Sequence, residues 1–335
     1  MESVYIIAEA GVNHNGVLEN AFKLVDMAYE CGADAIKFQT FKAEESTGKF
    51  AEMAEYQKDN VTLIESQFEM IKKLELPFND FRKIQEYCKG KGIDFISTPD
   101  GIESLNYLIE LNVPLIKIGS TEVTNLKFLR EIALCGKPII LSTGMSTLGE
   151  VEKAIETIYL TGNKKLELMH CVTDYPTRSE DLNLLVIKTM AAAFRIPVGL
   201  SDHTIGVEGA IAAVALGARV IEKHITLDTS LEGPDHKASM DTSAFMPYVR
   251  AIRNTVILLG DGIKKPTQRE IEIMEQVRRS IVASRNIKNG EIIKSEDISV
   301  KRPGYGIKQE FLSIVIGREL KRDIEKDEPI LWRDI

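Results

Sequence analysis

The sequence predicts a parallel (β/α)8 barrel followed by a small, mostly β module, and three observations carry that prediction. Eight short apolar stretches, each running into a polar or ionisable side chain, punctuate the chain before residue 225. Amphipathic helical text separates them, which is the pattern of buried parallel strands, and eight strand-then-helix units are the number that closes a barrel. Past residue 264 the rhythm breaks, and the tail contains an internal repeat.

The strand runs fall at 5–9, 35–39, 95–98, 115–120, 139–143, 166–170, 198–203 and 220–224. Helical stretches with apolar residues three and four apart lie at 18–30, 80–89, 102–111, 126–135, 148–159 and 206–216, and a last barrel helix spans 245–259. One long excursion, residues 41–77, follows the second strand. A segment of that length in a tightly packed fold has a function in most cases, so it is expected to be partly helical and to wall or cover a pocket. A charged linker helix is expected within 265–280, which divides the chain into a barrel over 1–264, the linker, and a tail module over 281–335. In the tail Arg285-Asn286-Ile287 with Asp297 recurs as Arg322-Asp323-Ile324 with Asp334, both pairs at an offset of 37 residues, which argues duplication. Each copy reads as strand, turn, strand. Between the copies, Arg302-Pro303-Gly304-Tyr305-Gly306 presents an arginine on a glycine-flanked loop.

Composition narrows the function classes. With 335 residues, 44% hydrophobic and 27% charged, the chain is long enough for a large core and carries no low-complexity tract. A net charge of −8 argues against a nucleic-acid partner, whose backbone needs a basic field. No apolar run approaches the roughly 20 residues that cross a bilayer, and Met1-Glu2-Ser3 leads into the first strand without a signal pattern, so no membrane partner is expected and the cytoplasm is the expected compartment. Cys31, Cys88, Cys135 and Cys171 form no C-x-x-C pair and read as free thiols. Cys171 reads as a small buried filler or, less simply, a nucleophile.

Function in such barrels sits at the carboxyl ends of the strands. Those ends supply Glu9, Lys37, Gln39, Thr98, Lys117, Ser120, Ser142, Ser201, His203, Glu222 and His224. A lysine inside a strand run is costly to bury without a counter-charge, so Lys37 and Lys117 need an anion. Either they hold a phosphate together with the hydroxyls of Ser120, Ser142 and Ser201 and the amides near Gly119 and Gly144, or they pair with Glu9 or Glu122 as structural ion pairs. His203 and His224 end adjacent strands and suit Mn²⁺, Fe²⁺ or Zn²⁺, although buried histidines of purely structural use look the same in sequence. Glu9 and Glu222 could orient metal-bound water. His14 and His236 sit in turn-forming text. The residues therefore point to a phosphate-bearing anion, a divalent metal and a neutral hydroxylated or carbonyl partner, without naming a reaction.

Seven ordered phrases add one. They are Ala8-Glu9-Ala10-Gly11-Val12-Asn13-His14-Asn15-Gly16, Lys37-Phe38-Gln39-Thr40, Ile118-Gly119-Ser120 with Glu122, Leu141-Ser142-Thr143-Gly144-Met145, Ser201-Asp202-His203-Thr204, Glu222-Lys223-His224 and Gly233-Pro234-Asp235-His236. Read together they resemble the bacterial sialic acid synthases, the phosphoenolpyruvate-dependent enzymes that make N-acetylneuraminate, legionaminate and related acids. The resemblance covers nearly the whole chain. It implies a TIM barrel with a C-terminal SAF (antifreeze-like, β-clip) domain, and condensation of phosphoenolpyruvate with N-acetylmannosamine, or with its 2,4-diacetamido-2,4,6-trideoxy relative, releasing phosphate.

By that resemblance Glu9, His203, Glu222 and His224 are catalytic, and His203 and His224 bind Mn²⁺ or Mg²⁺. Lys37, Thr98, Lys117, Ser120, Ser142, Thr173 and Ser201 hold phosphoenolpyruvate. Gln39, Asn60, Tyr175, Asp235 and Arg302 contact the sugar, Arg302 reaching across a domain-swapped homodimer. The chain departs from the family in Thr173, where asparagine often stands, and in Asp100, where an aromatic often follows Ser-Thr-Pro. Two other readings compete: a related synthase that takes an aldose phosphate, which would need a second cationic cluster, and a ligand-binding tail on an inert barrel, which would need no lysines and histidines at the mouth.

Overall fold

Strands form where β-branched and other apolar residues gather into runs too short for a helix. The computed structural model describes residues 3–48, 50–53 and 66–335. In it β1 (Tyr5–Gly11), β2 (Ala35–Thr40), β3 (Asp94–Pro99), β4 (Ile116–Ile118), β5 (Ile139–Ser142), β6 (Leu166–His170), β7 (Val198–Asp202) and β8 (Val220–His224) pair in parallel in chain order, and β8 returns to β1 to close an eight-stranded barrel. β4 is shorter than the expected run because Ser120–Glu122 already turns as a 3-10 helix.

The barrel helices are α1 (Leu18–Glu30), α2 (Ala43–Ser46), α3 (Gln67–Leu74), α4 (Phe78–Lys91), α5 (Ile102–Glu110), α6 (Leu126–Leu134), α7 (Leu148–Leu160), α8 (Leu185–Phe194), α9 (Glu208–Leu216) and α10 (Thr242–Leu259). Their packing follows the periodicity: α1 buries Ala21, Leu24, Val25 and Ala28 on one face. Caps fix where they start, as in α7, where the Thr147 side chain and Glu150 form a capping box. α8 adds to the expected set; its text is apolar on nearly every face, which hides the helical period.

Alternation along the strands sorts the side chains into layers. Ile7, Ala35, Ile96, Ile140, Met169 and Val220 meet inside the barrel as an apolar floor, while Ile6, Ala8, Ile36, Phe38, Leu141 and Leu200 join the core beneath the helices. Two residues further along the inward face, every strand reaches the mouth. A bulge in β1, between the pairs Glu9–Lys37 and Gly11–Phe38, ends that strand's regular register beside Lys37.

The excursion after β2 supplies α2 and α3, whose Met70 and Leu74 pack with Val12, Phe41 and Met53. Gly16 permits this docking: its φ is +70°, and a Cβ there would lie 2.5 Å from the Lys73 carbonyl oxygen. The described part of the excursion is thus a wall beside the β1 end. Among the described residues, no helix is long and apolar enough to cross a membrane.

The chain divides into Met1–Asp261 and Gly262–Ile335. The second unit begins with the expected linker helix, α11 (Gln268–Val277), and contains an antiparallel pair, β9 (Ser280–Ala283) and β10 (Ile298–Lys301), and a short helix, α12 (Leu312–Val315). Its own core includes Ile281, Ile287, Ile293, Leu320, Ile324 and Ile330. The duplication is visible in the contacts. Arg285 Nε donates to Asp297 Oδ1 at 2.7 Å, and Arg322 Nε donates to Asp334 Oδ1 at the same distance. Ile287 and Ile324, equivalent in the two copies, exchange reciprocal backbone bonds of 2.9 Å. The copies are not full strand–turn–strand units as expected; they are turns flanked by isolated bridges, and each Asp closes its copy by accepting a backbone amide, Lys294 at Asp297 and Leu331 at Asp334.

Candidate active site

The polar layer above the floor is built by one residue from each strand or, after β6, the residue that follows it: Glu9, Lys37, Thr98, Lys117, Ser142, Cys171, Ser201 and Glu222, two positions beyond Ile7, Ala35, Ile96, Leu115, Ile140, Met169, Gly199 and Val220. They line a cleft of about 270 Å³. Gln39, Ser120, Thr173, Tyr175, His203, His224 and Asp235 line it as well, so the expected site residues of the barrel converge on one mouth. Asn60 lies outside the described residues. Arg302 belongs to the second unit, where it is exposed and its Nε donates to the Val277 carbonyl at 3.1 Å.

Two buried ammonium groups dominate the electrostatics. Lys37 Nζ donates to Glu9 Oε1 at 2.7 Å and to Thr98 Oγ1 at 3.3 Å, and stands 3.9 Å from Glu222. Lys117 Nζ donates to Ser142 Oγ at 2.7 Å and stands 3.6 Å from Glu222. The structural pairing considered from the sequence is therefore present, with Glu9 and Glu222 as partners in place of Glu122. Burial pulls both lysines down; at Lys37 the carboxylates of Glu222 and Glu9 more than offset it, whereas Lys117 stays lowered. Burial likewise pushes Glu222 up, but Lys117 and Lys37 outweigh it and hold this carboxylate ionised. Glu9 is raised to about 7, by burial first, against the pull of Lys37. Its Oε2, like Glu222 Oε2, is buried without a hydrogen bond. Both oxygens lie in the same buried layer as the two ammonium groups.

A second cluster faces Lys117. Ser120 Oγ accepts from the Gly144 amide at 2.9 Å and lies 3.0 Å from Cys171 Sγ. The Gly144 amide, expected as an anion donor, is thus already engaged by Ser120. Gly144 is required by close approach: a Cβ there would lie 2.4 Å from Thr173 Oγ1 and 2.9 Å from Ser120 Oγ. Cys171 is buried, as the filler reading holds, but it fills the polar layer at the mouth. The two-residue step from Met169 on the floor is the signal that places it there.

The imidazoles stand together. The His203 and His224 ring centroids are 5.5 Å apart, and the Tyr175 ring lies 4.2 Å from His203. His203 Nδ1 donates to the Val172 carbonyl at 2.7 Å, which leaves Nε2 with its lone pair, 3.3 Å from Ser201 Oγ. His224 Nδ1 is buried and has no hydrogen-bond partner. Burial holds both rings neutral, and the neighbouring His203 adds to this at His224. Asp235, raised by burial to about 6, comes to the same rim near Glu9 across Gly11. His14 and His236 follow the turn reading: His14 Nδ1 accepts from the Gly16 amide at 3.0 Å, and His236 pairs with Thr226 at 2.7 Å and Asn15 at 3.0 Å, tying the loops after β1 and β8 together.

A closed parallel barrel whose mouth collects two ammonium groups, hydroxyls, carboxylates and a pair of neutral imidazoles is an enzyme framework. The chain belongs to the NeuB family, which it matches over residues 24–264, and residues 278–335 match the SAF domain. It is 45% identical over 335 residues to an N,N'-diacetyllegionaminic acid synthase of Legionella pneumophila, covering 99% of this chain and 94% of that protein. A protein of the same description from Campylobacter jejuni is 43% identical over 329 residues, 96% of this chain and 98% of the relative. Among solved structures, the N-acetylneuraminic acid synthetase of Leptospira borgpetersenii in complex with citrate superposes with a TM-score of 0.73 at 34% identity, over 82% of this chain and 91% of that one.

Proposed function

We propose that the protein condenses phosphoenolpyruvate with the open-chain form of an N-acetylated amino sugar, giving a nine-carbon nonulosonic acid and inorganic phosphate. The observation that carries this reading is the buried layer in which Lys37 and Lys117, paired to Glu9 and Glu222, stand beside strand-end hydroxyls and two neutral imidazoles. C3 of phosphoenolpyruvate attacks the sugar aldehyde and forms the C–C bond. Water adds at C2, the C2–O bond breaks, phosphate leaves with the bonding electrons, and C2 becomes the ketone.

Lys37, Lys117, Ser120, Ser142 and Ser201, with Thr98 and Thr173 at the edge, bind the phosphate and carboxylate. An anion arriving at Lys37 displaces Glu9 from its ion pair. Losing Lys37 removes the charge that pulls the Glu9 carboxyl down, so Glu9 rises further above the ordinary carboxylate range, takes up a proton and can deliver it to the aldehyde oxygen. Glu222 keeps both lysines charged. Gln39, Tyr175 and Asp235 orient the sugar from the rim.

The two imidazoles fit a divalent cation such as Mn²⁺ or Mg²⁺. His224 has an orphaned buried nitrogen, and the carbonyl on His203 Nδ1 turns its other nitrogen into a ligand. Among the described residues, no cluster of three or more His, Cys, Asp or Glu side chains is arranged to hold a metal, so the remaining positions fall to substrate and water. A cation bound there supplies Lewis acidity to the aldehyde.

Arg302 contacts the sugar's N-acetyl group from the second copy of a homodimer. In support, Arg302 is exposed, and α11 buries no residue while exposing Ile273 and Val277, one turn apart on the same face, which a second copy would cover. Of the two acceptors, the 2,4-diacetamido-2,4,6-trideoxy sugar gains specific support from the similarity to two N,N'-diacetyllegionaminic acid synthases. Phosphate release with phosphoenolpyruvate and each sugar in turn tests the reading; release with neither, with metal present, refutes it, and the faster sugar identifies the acceptor.

A further inference from the structure

The imidazoles sit just after β7 and at the end of β8, and the outward face of the same two strands carries a buried charge pair that the reaction does not use. Asp202 lies between Ser201 and His203, and Lys223 between Glu222 and His224. The strand register pairs Ser201 with Glu222 and Asp202 with Lys223, so the outward pair is made across the strands that present the two rings. Asp202 and Lys223 are each 1% exposed and Tyr248 of α10 is 0% exposed.

Every polar atom of this group is engaged. Asp202 Oδ1 accepts from the Thr204 amide at 2.9 Å and from its hydroxyl at 2.7 Å. Asp202 Oδ2 accepts from the Tyr248 hydroxyl at 2.8 Å and lies 3.4 Å from Lys223 Nζ. Lys223 Nζ also donates to the Thr204 carbonyl, and stands 5.6 Å from the Tyr248 ring centroid. These bonds end on Asp202 and Thr204, the neighbours of His203, and on Lys223, the neighbour of His224.

Stability alone does not account for the arrangement. Other outward positions of the barrel, such as Ile36, Phe38, Leu141, Leu200 and Ile221, are apolar. A buried ion pair gains little over a well-packed apolar replacement, and is better used to fix one geometry among several. We propose that Asp202, Lys223 and Tyr248 are positioning residues that fix the separation and orientation of His203 and His224 for a divalent cation. The group locks the register of β7 on β8 and pins the turn after His203 at both its amide and its carbonyl. The rings themselves are then free to bind.

This inference rests on the two-imidazole reading of the cleft. The test measures Mn²⁺ binding calorimetrically on the full chain, with phosphoenolpyruvate KM measured in parallel. Tyr248→Phe, which removes one hydroxyl, should weaken Mn²⁺ binding about tenfold, and Asp202→Asn with Lys223→Met by about ten- to a hundredfold. Phosphoenolpyruvate KM should stay within about twofold, and saturating Mn²⁺ should restore most of kcat, since the anion layer is untouched. Variants that fold and bind Mn²⁺ as the parent does overturn the proposal, whatever their activity. If the double variant does not fold, Tyr248→Phe decides. A parent chain that binds no Mn²⁺ overturns this inference together with the two-imidazole reading; parent binding that disappears in His203→Ala upholds that reading and leaves the positioning group judged by its own variants.

Discussion

The floor and the mouth of the barrel are made by the same strands with the same alternation, one step of two residues apart, yet they serve opposite ends. At the floor Ile7, Ala35, Ile96, Ile140, Met169 and Val220 gain burial without leaving a polar atom unsatisfied. At the mouth Glu9, Lys37, Lys117 and Glu222 are buried as deeply, with exposures of 1–4%, but carry charge, and two carboxylate oxygens lack hydrogen bonds. The floor adds to the stability of the fold; the mouth gives up part of it to hold charged groups buried and paired.

Two substitutions can break that contrast. Lys117→Ala should lower kcat/KM for phosphoenolpyruvate by about 10³-fold, as removal of a buried charge-stabilising donor does. It also leaves Glu222 with one counter-charge fewer, so a loss of about 3 kcal/mol in unfolding free energy is expected alongside. Activity and stability fall together at the mouth. Ile96→Ala, one layer down on β3, should cost about 2–5 kcal/mol of stability through the cavity it leaves, while phosphoenolpyruvate KM stays put. Urea unfolding and steady-state kinetics on both variants check the pair; a floor variant that raises KM as much as the mouth variant would erase the distinction.

The sequence made the layers legible because a period of two survives in every strand, and inward-facing lysines are conspicuous. It located Lys37, Lys117, His203 and His224 at one mouth before any coordinate. It also offered Glu9 as a partner, which Lys37 takes, but it could not convey the partner that both lysines share. Glu222 as the shared partner of both lysines depends on barrel curvature bringing β8 near β2 and β4, which no local pattern encodes. The engaged Gly144 amide depends on where Ser120 turns. Asp202 and Lys223 were in plain view within the two histidine motifs, but a charged residue between two inward ones reads as solvent-facing until Tyr248 is seen to cover it. In the tail, the 37-residue offset revealed duplication, while the contacts that close each copy could be seen only in three dimensions.

The smallest expected effect sharpens the contrast from the pH side. Asp100, which also lines the cleft, is raised to about 7, by burial first and then by Glu122. A carboxyl that titrates higher in the folded chain than in the unfolded one holds its proton longer when folded, so its favourable contribution is complete below about pH 4 and is lost as pH rises through about 7. Asp100→Asn mimics the protonated form at every pH. Because the side chain is half-buried and partly screened, the variant should be more stable than the parent by about 1 kcal/mol at pH 8, with the difference vanishing near pH 4. Thermal unfolding of both chains across that range measures it. A gain that is flat with pH would mean that Asp100 titrates alike in the folded and unfolded chains, and that the raised carboxyl at the mouth is confined to the layer around Glu9.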